Sequence, residues 1–233
     1  FFAIVFLYAV SAPSAFGARA YFFTYTAARW AHTFFYLKAI QPWRTVVFAA
    51  VTMEESGLLG SKYYVAHPPF PLAKTVADIN MDALPITGPT RDMEVVGLGQ
   101  GDLEDTFAEV LKADGRVVSG DASPEKGHYF RSDHFNFAKA GVPALSAGGG
   151  IDMVNGGKAA GEAAEADYVK NHYHQPTDVY DMRWNFDGVT QNVKAFYALG
   201  EKLANSEMWP AWKDGSEFKA VREKSLAASS KKK

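Results

Sequence analysis

The sequence predicts an α/β protein, a three-layer α/β/α sandwich around a mixed, mostly parallel central sheet. Three observations carry that prediction. Apolar runs such as 46–51 (Val-Val-Phe-Ala-Ala-Val) and 142–147 show no alternation, the pattern of strands buried on both faces. Between such runs lie segments with apolar residues at helical spacing, as in Leu103, Phe107, Val110 and Leu111. Strand-like and helix-like segments alternate along the chain, which builds layers of helix on sheet.

The elements follow in order. Residues 24–40 are loosely helical and stop at Gln41-Pro42. A strand is predicted at 45–51, then a helix at 58–66 ended by His67-Pro68-Pro69. A second strand at 75–81 delivers Asp82 at its carboxyl end, and a third spans 93–97. The Gly97-Leu98-Gly99-Gln100-Gly101 stretch that closes it lacks a helix-opening third glycine and a downstream ribose-binding acid, so it reads as a tight turn. A helix at 103–113 ends at Asp114-Gly115, and a short strand follows at 116–118. Next come a helix at 132–140 capped by Gly141, and a buried strand at 142–147. Residues 151–169, rich in Gly, Ala and Asn, read as a long surface loop, and 171–178 as another. An amphipathic helix is expected at 186–204. Three regions result: a divergent segment at 1–40, the main domain at 41–208, and a peripheral helix and tail at 209–233.

The chain of 233 residues is long enough for one large domain. A net charge of -2 and the lack of a basic stripe argue against a nucleic-acid partner. Cysteine is absent, so no disulfide is needed and either redox compartment is open. Phe1 in place of Met predicts a fragment or a processed product. The apolar stretch 1–10 and the small-residue site Ala18-Arg19-Ala20 read either as the remnant of an export signal or as a buried segment. It is too short for a stable membrane span. A secreted or periplasmic location is the expectation. Residues 1–53 contain no Asp or Glu, and all 26 acidic residues lie from Glu54 onward.

Glu54 and Glu55 stand side by side where the 45–51 strand ends. Ligands of open α/β sheets bind at such carboxyl ends. Adjacent carboxylates there suit either a solvated first helical turn, favoured by the helix dipole, or a metal ligand beside a free proton carrier. Asp82 and His174 arrive at other strand and loop ends, and mixed carboxylate and imidazole donors suit zinc.

These motifs resemble a known family. The stretches 52–61 (Thr-Met-Glu-Glu-Ser-Gly-Leu-Leu-Gly-Ser), 79–82 (Ile-Asn-Met-Asp), 131–135 (Arg-Ser-Asp-His-Phe) and 173–178 (Tyr-His-Gln-Pro-Thr-Asp) are similar, in order and spacing, to the M28 family of zinc aminopeptidases. The resemblance implies a hydrolase that cleaves peptide substrates with two zinc ions. It implies Glu54 as general base, Glu55 and His174 as ligands of one zinc, and Asp82 as a ligand of the second. It implies Tyr129 as a phenol that holds the oxyanion, and Ser132 and Asp133 as shapers of the substrate pocket. A minor role follows for Asp178 as a partner of the far ring nitrogen of His174.

The chain also departs from the family. The resemblance calls for a further His and a bridging Asp upstream of Glu55. No acid precedes Glu54, and His32, the only upstream histidine, stands in Ala31-His32-Thr33-Phe34. The expectation is therefore an amino-terminally truncated or rearranged aminopeptidase, impaired in zinc binding and catalysis. The alternative is a catalytically inactive peptidase-like domain used for binding or structure. Glutaminyl cyclase chemistry shares the fold, but its ligand set is incomplete here as well. The sequence leaves oligomeric state open.

Overall fold

The computed structural model describes residues 44–82 and 85–230. The chain divides into two compact units, 1–45 and 46–233. Only residues 44 and 45 of the first are described, and they carry no helix or strand. The helix expected at 24–40 and the export-signal reading of the first residues lie outside the described residues.

In the second unit the helices are α1 (Leu59–Ala66), α2 (Asp102–Ala113), α3 (His134–Lys139), α4 (Gly157–Asn171), α5 (Asp187–Ala204) and α6 (Lys219–Ser230). The strands are β1 (Asp78–Asn80), β2 (Asp92–Val96), β3 (Val117–Gly120) and β4 (Ala144–Gly149). They form one sheet in the order β1-β4-β2-β3. β1 runs parallel to β4 and β2 parallel to β3, while β2 meets β4 antiparallel. The sheet is thus mixed and mostly parallel, and the α/β fold class holds.

Side chains alternate across this sheet and define its two cores. Leu145 and Ala147 of β4 join Met93 and Val95 of β2 on one face. There they meet Leu103, Phe107 and Leu111 of α2 and Ala195, Leu199 and Leu203 of α5. Both helices bury residues at every fourth position, so a single stripe of each faces the sheet. Ala144 lies in the second core, with Phe137 and Ala138 of α3, and Tyr64 and Val65 of α1 pack against it. Each Leu or Phe buried in this way contributes about 1.5–3 kcal/mol.

Three expectations need correction. The apolar run 45–51 is not a buried strand: it makes no ladder among the described residues, and Val46, Val47 and Phe48 are 54, 48 and 86 % exposed. Its composition specifies burial, but a strand also needs a neighbour, and β1 pairs only with β4 among the described residues. Just beyond the run, Leu59 N–H donates to Met53 O (3.1 Å) and Gly60 N–H to Thr52 O (2.9 Å). The expected loop at 151–169 is largely helix α4, because its Ala, Glu and Lys residues are strong helix formers. Gly161 lets this helix touch the preceding chain: a Cβ there would lie 2.0 Å from the Ile151 carbonyl oxygen.

The segment expected at the periphery, 209–230, is part of the second core. Trp212 and Phe218 are buried there, and the Trp212 indole donates to Gly141 O (2.9 Å). Arg222 of α6 donates to Leu72 O (3.1 Å) and Thr75 O (2.8 Å), latching the helix to the chain that leads into β1. No helix among the described residues is long and apolar enough to cross a membrane.

Candidate active site

The chain turns sharply after Val51, and the turn carries both glutamates. Met53 (φ 59°), Gly57 (φ 97°) and Leu58 (φ 59°) are left-handed. Gly57 N–H and Leu58 N–H both donate to Glu54 O, at 3.0 and 2.9 Å. This reversal spends its hydrogen bonds on backbone oxygens and leaves the two carboxylates free. Gly60 is required at the start of α1, since a Cβ would lie 2.3 Å from Thr52 O.

Glu55, Asp82 and Asp133 each meet a residue from a distant part of the chain. Glu55 Oε1 is 2.8 Å from His174 Nε2. His174 is itself left-handed (φ 57°), and its ring stacks on Tyr173 with centroids 3.9 Å apart. Asp82, two residues beyond β1, accepts at Oδ2 from the Ser132 hydroxyl (2.8 Å). Asn80, the last residue of β1, donates to Ser132 Oγ (2.8 Å), so strand and loop are joined through one serine. Asp133 accepts from Ser61 Oγ at Oδ1 (2.5 Å).

These acids crowd one another. Burial raises the pKa of Glu54 above the ordinary carboxylate range, and repulsion by Glu55, Asp82 and Asp133 raises it further, with His174 opposing. Tyr173 is raised by burial and by the charges of Glu55, Asp82 and Glu54, with Arg131 opposing. Glu54, Glu55, Asp82, Asp133, His174 and Tyr173 thus form one electrostatic neighbourhood, at the carboxyl end of β1.

Tyr129 takes no part in that neighbourhood, contrary to the role the sequence suggests. Its ring packs against Phe218, Phe135 and His134 in the second core, and its hydroxyl is buried with no partner among the described residues. Burial raises its pKa first, and the acids that act on it are Glu104 and Glu217. The glycine at 97 explains the inward ring: a Cβ there would lie 2.2 Å from Tyr129 Cδ2. The phenol beside the carboxylates is Tyr173. Its signal in the sequence is its place directly before His174, since a stacked neighbour must share that loop. Asn80 was legible in the same way, as the strand residue two before Asp82. Asp178 accepts from the Tyr168 hydroxyl (2.9 Å).

Comparison with protein families matches residues 25–198 to peptidase family M28. The chain belongs to that family. No curated protein matches the chain significantly. A peptide hydrolase fold and a peptide substrate follow from the family. M28 peptidases are generally zinc-dependent, so the donors here can be tested against that ion. Glu55 and His174 form one pair, and Asp82 is spent on Ser132. Among the described residues no group of three or more His, Cys, Asp or Glu can hold a metal ion. Zinc in a protein asks for three or four such donors. The described residues therefore do not fit a complete zinc site.

Proposed function

We propose that this chain is an exopeptidase domain of the zinc-dependent aminopeptidase type whose hydrolytic activity is impaired by a short ligand set. The observation that carries the reading is the Glu54 turn. It presents a proton carrier of raised pKa next to the Glu55–His174 pair and within the field of Asp82 and Asp133. A carboxylate whose pKa is raised above the ordinary range is the better suited to take a proton from an attacking water and return it to the leaving amine. Tyr173, an exposed phenol among the same acids, is the donor placed to hold the oxyanion that forms. Ser132 orients Asp82, and Asp133 adds negative charge that suits the free amino end of a peptide. A secreted or periplasmic location is part of this reading.

The impairment rests on ligand count. Glu55 and His174 supply two donors, Asp82 supplies one, and residues 1–53 hold no acid to bridge them. The same observation favours a second reading, a peptidase-like domain that binds peptides without cutting them. Hydrolysis of aminoacyl chromogens separates the two. The first reading gives slow release that Glu54→Gln abolishes, while the second gives none in either protein. Efficient, chelator-sensitive release by the purified chain contradicts the impairment.

A further inference from the structure

The turn that carries Glu54 is unfavourable by its own sequence. Leu58 has no freedom from a missing Cβ, yet it sits at φ 59°, ψ 37°. Met53, on the other side of the two glutamates, is at φ 59° as well. Non-glycine residues hold such angles only where surrounding structure fixes them. Backbone bonds do close the turn, but they run within its own strand of chain, from 57–60 back to 52–54.

What fixes it from outside is α3. Asn136 is buried on that helix, and its amide nitrogen reaches Leu58 O at 3.2 Å and Ser61 Oγ at 2.8 Å. Ser61, fully buried, lies 3.2 Å from Leu58 O and 2.5 Å from Asp133 Oδ1. A hydroxyl has one proton, and the shorter contact to a carboxylate takes it. Both amide protons of Asn136 are then used, one on Ser61 and one on Leu58 O. The left-handed carbonyl accepts from Lys62 N–H of α1 (3.0 Å), and the side-chain donor it receives from outside its own segment is Asn136, on a helix 78 positions away in sequence.

We propose that Asn136 is a positioning residue: with Ser61 as its relay, it fixes the left-handed Leu58 and so holds the Glu54–Glu55 turn in place. This rests on Glu54 as the proton carrier of the preceding section. Asn136 touches no reacting atom and acts through the backbone of the turn. The chain of contacts also couples the turn, through Ser61, to Asp133, one of the acids around Glu54.

Hydrogen exchange on the full chain tests this without any need for catalysis. Asn136→Leu keeps the volume and removes both donors. The expected result is at least tenfold faster exchange of the Leu59 and Gly60 amides, whose bonds to Met53 O and Thr52 O close the turn. Amides in α2 and α5 stay within twofold of wild type. Adding Leu58→Gly restores protection, because glycine holds the left-handed angle unaided. A general loss of packing at α3 is not rescued by that glycine. Ser61→Ala provides a milder variant should Asn136→Leu not fold, with the same local pattern expected. Unchanged exchange at 59–60 in a folded variant overturns the proposal, as does loss spread evenly over the core, or failure of Leu58→Gly to rescue. Loss of Glu54 as proton carrier shows separately, as hydrolysis that survives Glu54→Gln while the exchange pattern stands.

Discussion

Glu104 and Glu54 each stand beside a glycine-bearing turn at the start of a helix, and the two turns use them in opposite ways. Glu104 folds back on residues 99–101 and accepts from the backbone amides of Gly99 (2.5 Å), Gln100 (2.9 Å) and Gly101 (3.1 Å). Those are the amides that an anion at a glycine-rich loop would need, so the loop is closed to phosphate by the protein's own carboxylate. Glu54 receives no such donor, and its own turn directs amides at the Glu54 carbonyl instead. Burial raises the pKa of both. The difference is what surrounds them: amides at Glu104, other carboxylates at Glu54. A glutamate satisfied by its turn holds structure together, whereas one left among like charges is the one the proposed function uses to move protons.

The largest effect should come from breaking the satisfied member. Glu104→Ala leaves three amides without their acceptor and is expected to cost about 3 kcal/mol, read from urea unfolding. Glu54→Gln is the contrasting variant and appears at the end of this series. If the two changes cost the same, the distinction between the turns fails.

Two buried groups extend the comparison beyond glutamate. His134 is fully buried, both ring nitrogens lack a partner among the described residues, and burial lowers its pKa to about 4. Above the unfolded value of 6.5 both states are neutral and nothing is lost. As pH falls from 6.5 toward 4 the unfolded chain takes up a proton that the folded one refuses, so stability drops by about 3 kcal/mol. Unfolding free energies at pH 7 and pH 4 should therefore differ more in wild type than in His134→Leu.

Asp78 shows the opposite sign. Burial, with a smaller contribution from Asp133, raises its carboxyl to about 7, and its Oδ2 has no partner among the described residues. The folded state keeps the proton that the unfolded chain loses above 3.8, so stability falls as pH rises from 3.8 to about 7. Asp78→Asn should be more stable than wild type by ~2 kcal/mol at pH 8 and no more stable at pH 3.5. Equal gains at both pH values contradict the assignment. The smallest effect is expected for Glu54→Gln, which relieves repulsion by Glu55, Asp82 and Asp133 at a half-exposed position. Its stability should lie within ~1 kcal/mol of wild type, on the stabilising side, while hydrolysis is lost.

The fold was readable where local pattern and burial agree. The spacing of Leu103, Phe107 and Leu111 predicts α2, and the run at 142–147 predicts the strand that became β4 at the centre of the sheet. The reading failed where the deciding partner is remote. Val46, Val47 and Phe48 look like a buried strand because composition reports apolarity and not whether a neighbouring strand is present. The Gly, Ala and Asn of 151–169 looked like loop, although the Ala, Glu and Lys content favoured a helix. In the site, the motifs delivered Glu54, Glu55, Asp82, Ser132, Asp133 and His174 to one place. They misplaced the phenol, because three residues before Ser132 says nothing of which way a ring turns. The inward pull on Tyr129 comes from Phe218 and the space at Gly97, both far along the chain.

On the proposed function, Glu55 and His174 are half of a metal site beside Glu54 as the proton carrier. A zinc titration of the purified 233-residue protein, with a competing chelator to fix the free ion, tests it most directly. Two donors at Glu55 and His174 predict binding weaker than about 1 μM, abolished by Glu55→Gln. Stoichiometric zinc held in the nanomolar range, unaffected by Glu55→Gln, would contradict the account.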